Sequence, residues 1–177
     1  TDALLSHLAT HPNTPPFVAF RLLQRLVTSN PSPRYIKAVA DAFRSGVYAT
    51  TGTGGAGSAS FGTGRYGDLA AAVAAMLLDR EARSTTLDAD PGHGKLREPL
   101  VKVIHLMRAM EYTSAKGREV IFSSMDDRLG MAPFLAPSVF NFYQPDYQPQ
   151  GFSEIGLVAP EAQLSTAPLQ IGYLNGM

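Results

Sequence analysis

The residues best suited to chemistry are charged and aromatic groups placed near breaks in the chain. Asp79, Glu81 and Arg83 stand together, and Arg97 and Glu98 follow after a short loop. Arginine forks suit partly buried carboxylates, so these residues are expected to form an inter-helix ion-pair network that fixes helix ends. The functional alternative uses Glu98 as an acid or base, which needs a raised pKa. A second group lies in a proline-rich stretch: Phe140, Asn141, Phe142, Tyr143, Gln144, Asp146 and Tyr147. Aromatic faces beside amides and a carboxylate suit a sugar or a protein partner. The plainer reading packs the aromatics onto helices. The candidate binding residues are therefore Asn141, Tyr143, Asp146, Tyr147, Arg97 and Glu98, with no catalytic residue assigned.

Other motifs are weaker. His7 and His11 have the spacing that puts two imidazoles on one helical face, but Pro12 disfavours helical geometry at His11. Asp88-Ala89-Asp90-Pro91-Gly92 resembles the start of a calcium loop, yet Gly92 and Pro99 fall where side-chain ligands are required. The pattern G-x-G-x-x-G occurs at Gly52, Gly54 and Gly57 and again at Gly62, Gly64 and Gly67. That pattern binds a pyrophosphate when an apolar strand delivers it to a helix N-terminus, and no such strand precedes either match. There is no G-x-S-x-G elbow. His105, between Ile104 and Leu106, reads as a boundary residue. No metal and no cofactor is expected.

The elements that must carry these residues are mostly helices. Asp2 is expected to cap a first helix with Leu4, Leu5 and Leu8, stopped by Pro12. Thr14 is expected to cap a second, with Pro15 and Pro16 in its first turn and Phe17, Phe20, Leu23 and Val27 as a buried stripe. Ser32-Pro33 starts a third, which Gly46 ends. Eight of the 16 glycines fall within residues 46–67, read as a flexible loop or insertion. Asp68 caps a fourth helix with Leu69, Val73, Met76 and Leu77 on its core side. A fifth runs from about Leu96 to Tyr112, with Leu100, Val103, Ile104, Met107 and Met110 inward. Beyond Lys116 the prolines cut the chain into short pieces, with Val120–Phe122 and Ile155–Val158 as candidate strands and Pro160-Glu161 opening a last helix. The predicted fold is mainly α: residues 1–177 as one domain of five to six bundled helices with an irregular proline-rich C-terminal segment.

The 177 residues can bury a sizeable core, and 15 basic residues balance 15 acidic ones. A neutral chain lacks the cationic footprint for nucleic acid, so no nucleic-acid partner is expected. No apolar run approaches the roughly 20 residues of a membrane helix, so no membrane span is expected. Cysteine is absent, which excludes disulfides and thiolate chemistry.

Several blocks carry a family resemblance. They are His11-Pro12-Asn13-Thr14, Leu26-Val27-Thr28-Ser29-Asn30-Pro31-Ser32-Pro33, Gly67-Asp68-Leu69, Leu77-Leu78-Asp79-Arg80-Glu81-Ala82-Arg83, Leu96-Arg97-Glu98-Pro99, Ser138-Val139-Phe140-Asn141-Phe142-Tyr143 and Ala159-Pro160-Glu161. In this order they resemble the bacterial "domain of unknown function 1800" family. The resemblance implies a largely helical, exported protein, extracytoplasmic in location, of which this chain is the C-terminal part. It implies no active site. The expected role is structural or interaction-based, in a surface or extracellular assembly, with other protein chains or the remainder of its own chain as partners. The alternative is an exported hydrolase acting on a polymer such as a polysaccharide, using acids such as Glu98 and Asp146.

Overall fold

The computed structural model describes residues 1–50, 58–114, 117 and 124–176. It is mainly helical, with eight α-helices among the described residues. The chain divides into two compact units, Thr1–Gly94 and Lys95–Met177.

The first unit begins with α1 (Asp2–Ala9), α2 (Thr14–Leu26) and α3 (Pro33–Ser45). The turn between α1 and α2 follows from local hydrogen bonding. Thr10 Oγ1 donates to the Ser6 carbonyl at 2.8 Å, and His11 Nδ1 accepts from the Asn13 amide at 3.2 Å. Thr14 is not the cap: Asn13 holds that position, and the Thr14 hydroxyl reaches back to the Leu8 carbonyl at 2.6 Å. Ser32 caps α3 as expected, accepting from the Tyr35 amide at 3.1 Å, and Pro33 occupies the first turn. Gly46 ends α3 at φ 70, and a Cβ there would stand 2.2 Å from the Arg65 carbonyl oxygen.

The glycine-rich stretch is not all loop. β1 (Tyr48–Thr50) and β2 (Ala59–Phe61) pair antiparallel, with Tyr48 opposite Phe61. The first G-x-G-x-x-G match lies outside the described residues. The second precedes α4 (Leu69–Leu78) but is already occupied. The Gly64 and Gly67 amides donate to the carbonyls of Gly46 and Phe43, both at 2.9 Å. The Asp68 carboxylate caps α4, accepting from the Ala71 amide at 3.1 Å and from the Thr63 amide and hydroxyl at 2.7 Å. That carboxylate fills the anion position a pyrophosphate would need.

Tyr35, Val39 and Phe43 of α3 pack with Ala19 and Leu23 of α2 and with Ala71, Ala72, Ala75 and Met76 of α4. Two stripes differ from the sequence expectation. On α2, Phe17 is exposed, and the buried face runs through Pro15, Ala19 and Leu23. On α4, Leu69, Val73 and Leu77 point outward at 58%, 37% and 54% exposure. Alanine explains the reversal: its small side chain admits close approach of α3, so the alanine face is the one that packs. The unit closes with α5 (Arg80–Arg83) and a 3-10 turn, Thr85–Ala89. The Asp88–Gly92 stretch forms a local turn, with the Gly92 amide donating to Asp90 Oδ1 at 2.8 Å. Buried Thr28 then pins the loop through Gly94, donating to its carbonyl at 3.0 Å and accepting from its amide at 3.1 Å.

The second unit contains α6 (Pro99–Ala109), α7 (Met125–Leu129), α8 (Ala167–Gly176) and two 3-10 turns, Ser153–Ile155 and Pro160–Leu164. Its core is small: Leu129, Met131, Tyr143 and Leu164, with Leu100, Val103, Met125, Phe142 and Tyr173 against them. α6 is shorter than expected and buries none of its residues fully; Met110, expected inward, is 73% exposed. Ile155–Val158 is a 3-10 end and an irregular run rather than a strand, and Pro160 opens a 3-10 turn rather than a full helix. The candidate strand Val120–Phe122 lies outside the described residues.

Candidate functional site

The carboxylates Asp79 and Glu81 do enter an ion-pair network, and Arg34 supplies its guanidinium. The Arg34 fork reaches Asp79 Oδ1 and Oδ2 at 2.6 and 3.0 Å and Glu81 Oε2 at 3.1 Å. Glu81 also accepts from the Ser32 amide at 2.9 Å and hydroxyl at 2.5 Å. Burial pushes the Asp79 carboxyl up, but the Arg34 fork and the Glu81 amide outweigh it and hold it below the usual carboxylate range. Hydrogen bonding to Asp79 raises the Arg34 guanidinium further, against its own desolvation. This network ties the start of α3 to the end of α4 and has no unsatisfied group aimed at a ligand. Tyr35 beside it donates its hydroxyl to the Met76 carbonyl, and burial pushes its phenol up.

A polar cluster of the second unit is built from three stretches of chain. Lys95 and Glu98 come from the approach to α6, Tyr143 from the proline-rich segment, and Glu161 from the Pro160–Leu164 turn. Glu98 holds the cap position of α6 without bonding a helix amide, which leaves its carboxylate for Tyr143. The Tyr143 hydroxyl lies against Glu98 Oε1 and stands 3.3 Å from Glu161 Oε1. The Lys95 ammonium pairs with the same Glu161 oxygen, and the two side chains are 8% and 1% exposed. Glu161 Oε2 is buried with no hydrogen-bond partner among the described residues. One phenolic proton serves one acceptor at a time, and Glu98 is the closer. Two backbone links hold the segments in place: the Gln144 amide donates to Gln163 Oε1 at 2.7 Å, and the Ala159 amide to the Tyr147 carbonyl at 2.9 Å.

Of the six candidate residues, the structure brings Glu98 and Tyr143 together. Tyr143 points inward at 5% exposure. Tyr147 is half-buried and contributes its carbonyl. Asn141 is half-buried at φ 72, bridged to Ser138. Asp146 and Arg97 are exposed and make none of the cluster's contacts. Lys95 and Glu161 were missed; Pro160-Glu161 reads as a helix start, and nothing local connects it to a lysine 66 residues away. The outward-facing apolar groups of this stretch are instead Phe134, Leu135, Val139 and Phe140, at 105%, 63%, 93% and 50% exposure. The rings of His7 and His11 meet edge to face at 6.4 Å between centroids. Among the described residues no three acidic, histidine or cysteine side chains form a metal-binding group, and no helix is long and apolar enough to cross a membrane.

A closed cluster of this kind joins chain segments. Glu161 is too enclosed to touch a substrate, and its charge is already met by Lys95. The fold and site thus define a mainly helical protein whose C-terminal segment is locked down by a buried polar latch. A family model described as "Protein of unknown function (DUF1800)" matches residues 1–164, and the chain belongs to that family. No curated protein and no solved structure matches the chain.

Proposed function

We propose that this chain is a structural or interaction component of an extracytoplasmic assembly and binds another protein surface through apolar contacts. One observation carries the reading. All ten residues of α4 are apolar, and its outer stripe Leu69, Val73 and Leu77 is exposed. A helix apolar on every side is normally covered on every side. The exposed Phe134, Val139 and Phe140 support the same reading from the second unit. The extracytoplasmic location rests on the exported character that the family resemblance implies. The partner surface is itself apolar, on another chain or on further sequence of the same protein.

The hydrolase reading requires two accessible carboxylates facing one cleft. Glu98 and Glu161 do converge, on Tyr143, but the Glu161 side chain is 1% exposed and paired. Asp146 is exposed and shares no contact with either among the described residues. The geometry therefore favours the interaction reading. Sedimentation velocity over a range of concentrations, with a hydrophobic dye as second readout, tests it. The wild-type chain should self-associate or bind dye, and a L69Q/V73Q/L77Q variant with unchanged circular dichroism should do so clearly less, the exposed Phe134, Val139 and Phe140 accounting for what remains. A wild-type chain that stays monomeric and binds no dye overturns the reading.

A further inference from the structure

We propose that a cleft along α6 binds an oligoanion, a single molecule carrying two or more phosphate, sulfate or carboxylate groups. The cleft has a volume of about 340 Å³ and is lined by Arg97, Val101, Lys102, Ile104, His105 and Arg108. Its polar lining is three cations and an imidazole, with no acidic residue among them. Val101, Ile104, His105 and Arg108 recur at helical spacing, so the face is continuous. Among the described residues Arg34, Lys37, Arg44 and Lys95 each meet a carboxylate, while Arg65, Arg80, Arg83 and Arg128 do not; the cleft differs in gathering three such cations on one face. Among the described residues the side chains of Arg97, Lys102 and Arg108 meet no carboxylate, and those side chains carry no further polar contact.

The whole chain is neutral, so this unneutralised positive charge is local. Like charges gathered around one cleft repel, and an anion seated among them removes that cost. Arginine forks bind phosphate, sulfate and carboxylate in the same bidentate way. Arg97 precedes the helix and Arg108 lies in its last turn, roughly 16 Å further along at 1.5 Å per residue. A single small anion thus meets one end of the cleft. A ligand with several anionic groups engages both ends, and its second contact forms at high effective concentration. The site is independent of the apolar stripe on α4 and of the buried latch, whose residues it does not share.

Isothermal titration at low salt tests this with three probes: inorganic phosphate, tripolyphosphate and a galacturonate trimer. At least one oligoanion should bind more tightly than inorganic phosphate, and the tighter of the two identifies the phosphate or the carboxylate source. R97Q/R108Q should weaken that binding about tenfold or more, with an unchanged thermal melt. V101E, which places a carboxylate inside the cleft, should weaken it as well. The proposal is overturned if neither oligoanion binds, or if R97Q/R108Q or V101E binds as the wild type does.

Discussion

Lys95 and Glu161, 66 residues apart in sequence, form an ion pair whose side chains are 8% and 1% exposed. Desolvation offsets much of the Coulombic gain in such a pair, so its net contribution is small, but breaking it leaves one buried charge alone. Lys95→Ala should therefore destabilise the second unit by about 3–5 kcal/mol. The double variant K95M/E161L should recover most of that loss. Urea unfolding of the single and double variants measures the coupling; a mild loss in Lys95→Ala would show that water reaches Glu161.

Tyr143→Phe removes the hydroxyl that Glu98 and Glu161 face while keeping the ring in the core. The expected loss is about 1.5–3 kcal/mol, the net contribution of a hydrogen bond to a charged group. Thermal melts report the loss, and hydrogen exchange should place it in the second unit. Unchanged stability would mean that the ring alone holds the segment.

Gly46 combines a positive φ with a neighbouring carbonyl where a Cβ would stand. Gly46→Ala should cost about 2 kcal/mol or more, since left-handed geometry alone costs about 1–2 kcal/mol for a residue with a Cβ. Gly64 also has positive φ, but a Cβ added there would meet no atom within 4 Å. Gly64→Ala should accordingly be the milder change in a urea titration.

Acid should weaken the first unit through Asp68 and Asp79. Hydrogen bonding from Thr63, with the Ala71 amide, lowers the Asp68 carboxyl to about 2, and Asp79 is also held low. A depressed carboxyl contributes stability that is fully present above its unfolded value, about 3.9, and is lost as pH falls through the folded value. The stability of the first unit should thus fall between about pH 4 and pH 2, and more gently in Asp68→Asn. A pH-independent unfolding midpoint across that window would contradict the role given to these two groups.

The parts of the fold legible in the sequence are those governed by local chemistry. Ser32-Pro33 and Gly46 bound α3 because a cap, a fixed φ and a left-handed stop act within a few residues. Asp68 caps α4 for the same reason. The buried face of α4 was not legible, because a run of alanines offers no contrast between sides and only the approach of α3 decides which side packs. The pairing of β1 with β2 was hidden by the glycines around them, whose weak strand preference gave no signal. Within the cluster, Glu98 and Tyr143 stood out as a charge beside a helix start and an aromatic among prolines. Their partners Lys95 and Glu161 carried no signal, since an ion pair across 66 residues depends on the folded path between them.

The outer stripe of α4, Leu69, Val73 and Leu77, is the proposed protein-binding surface. Site-specific photocrosslinking in producing cells tests it most directly, with a photoreactive residue at Val73 and a control at exposed Lys37 on α3. A discrete adduct is expected from Val73 alone, lost when Leu69 and Leu77 are both changed to Gln. No adduct from Val73, or the same adduct from Lys37, would contradict it.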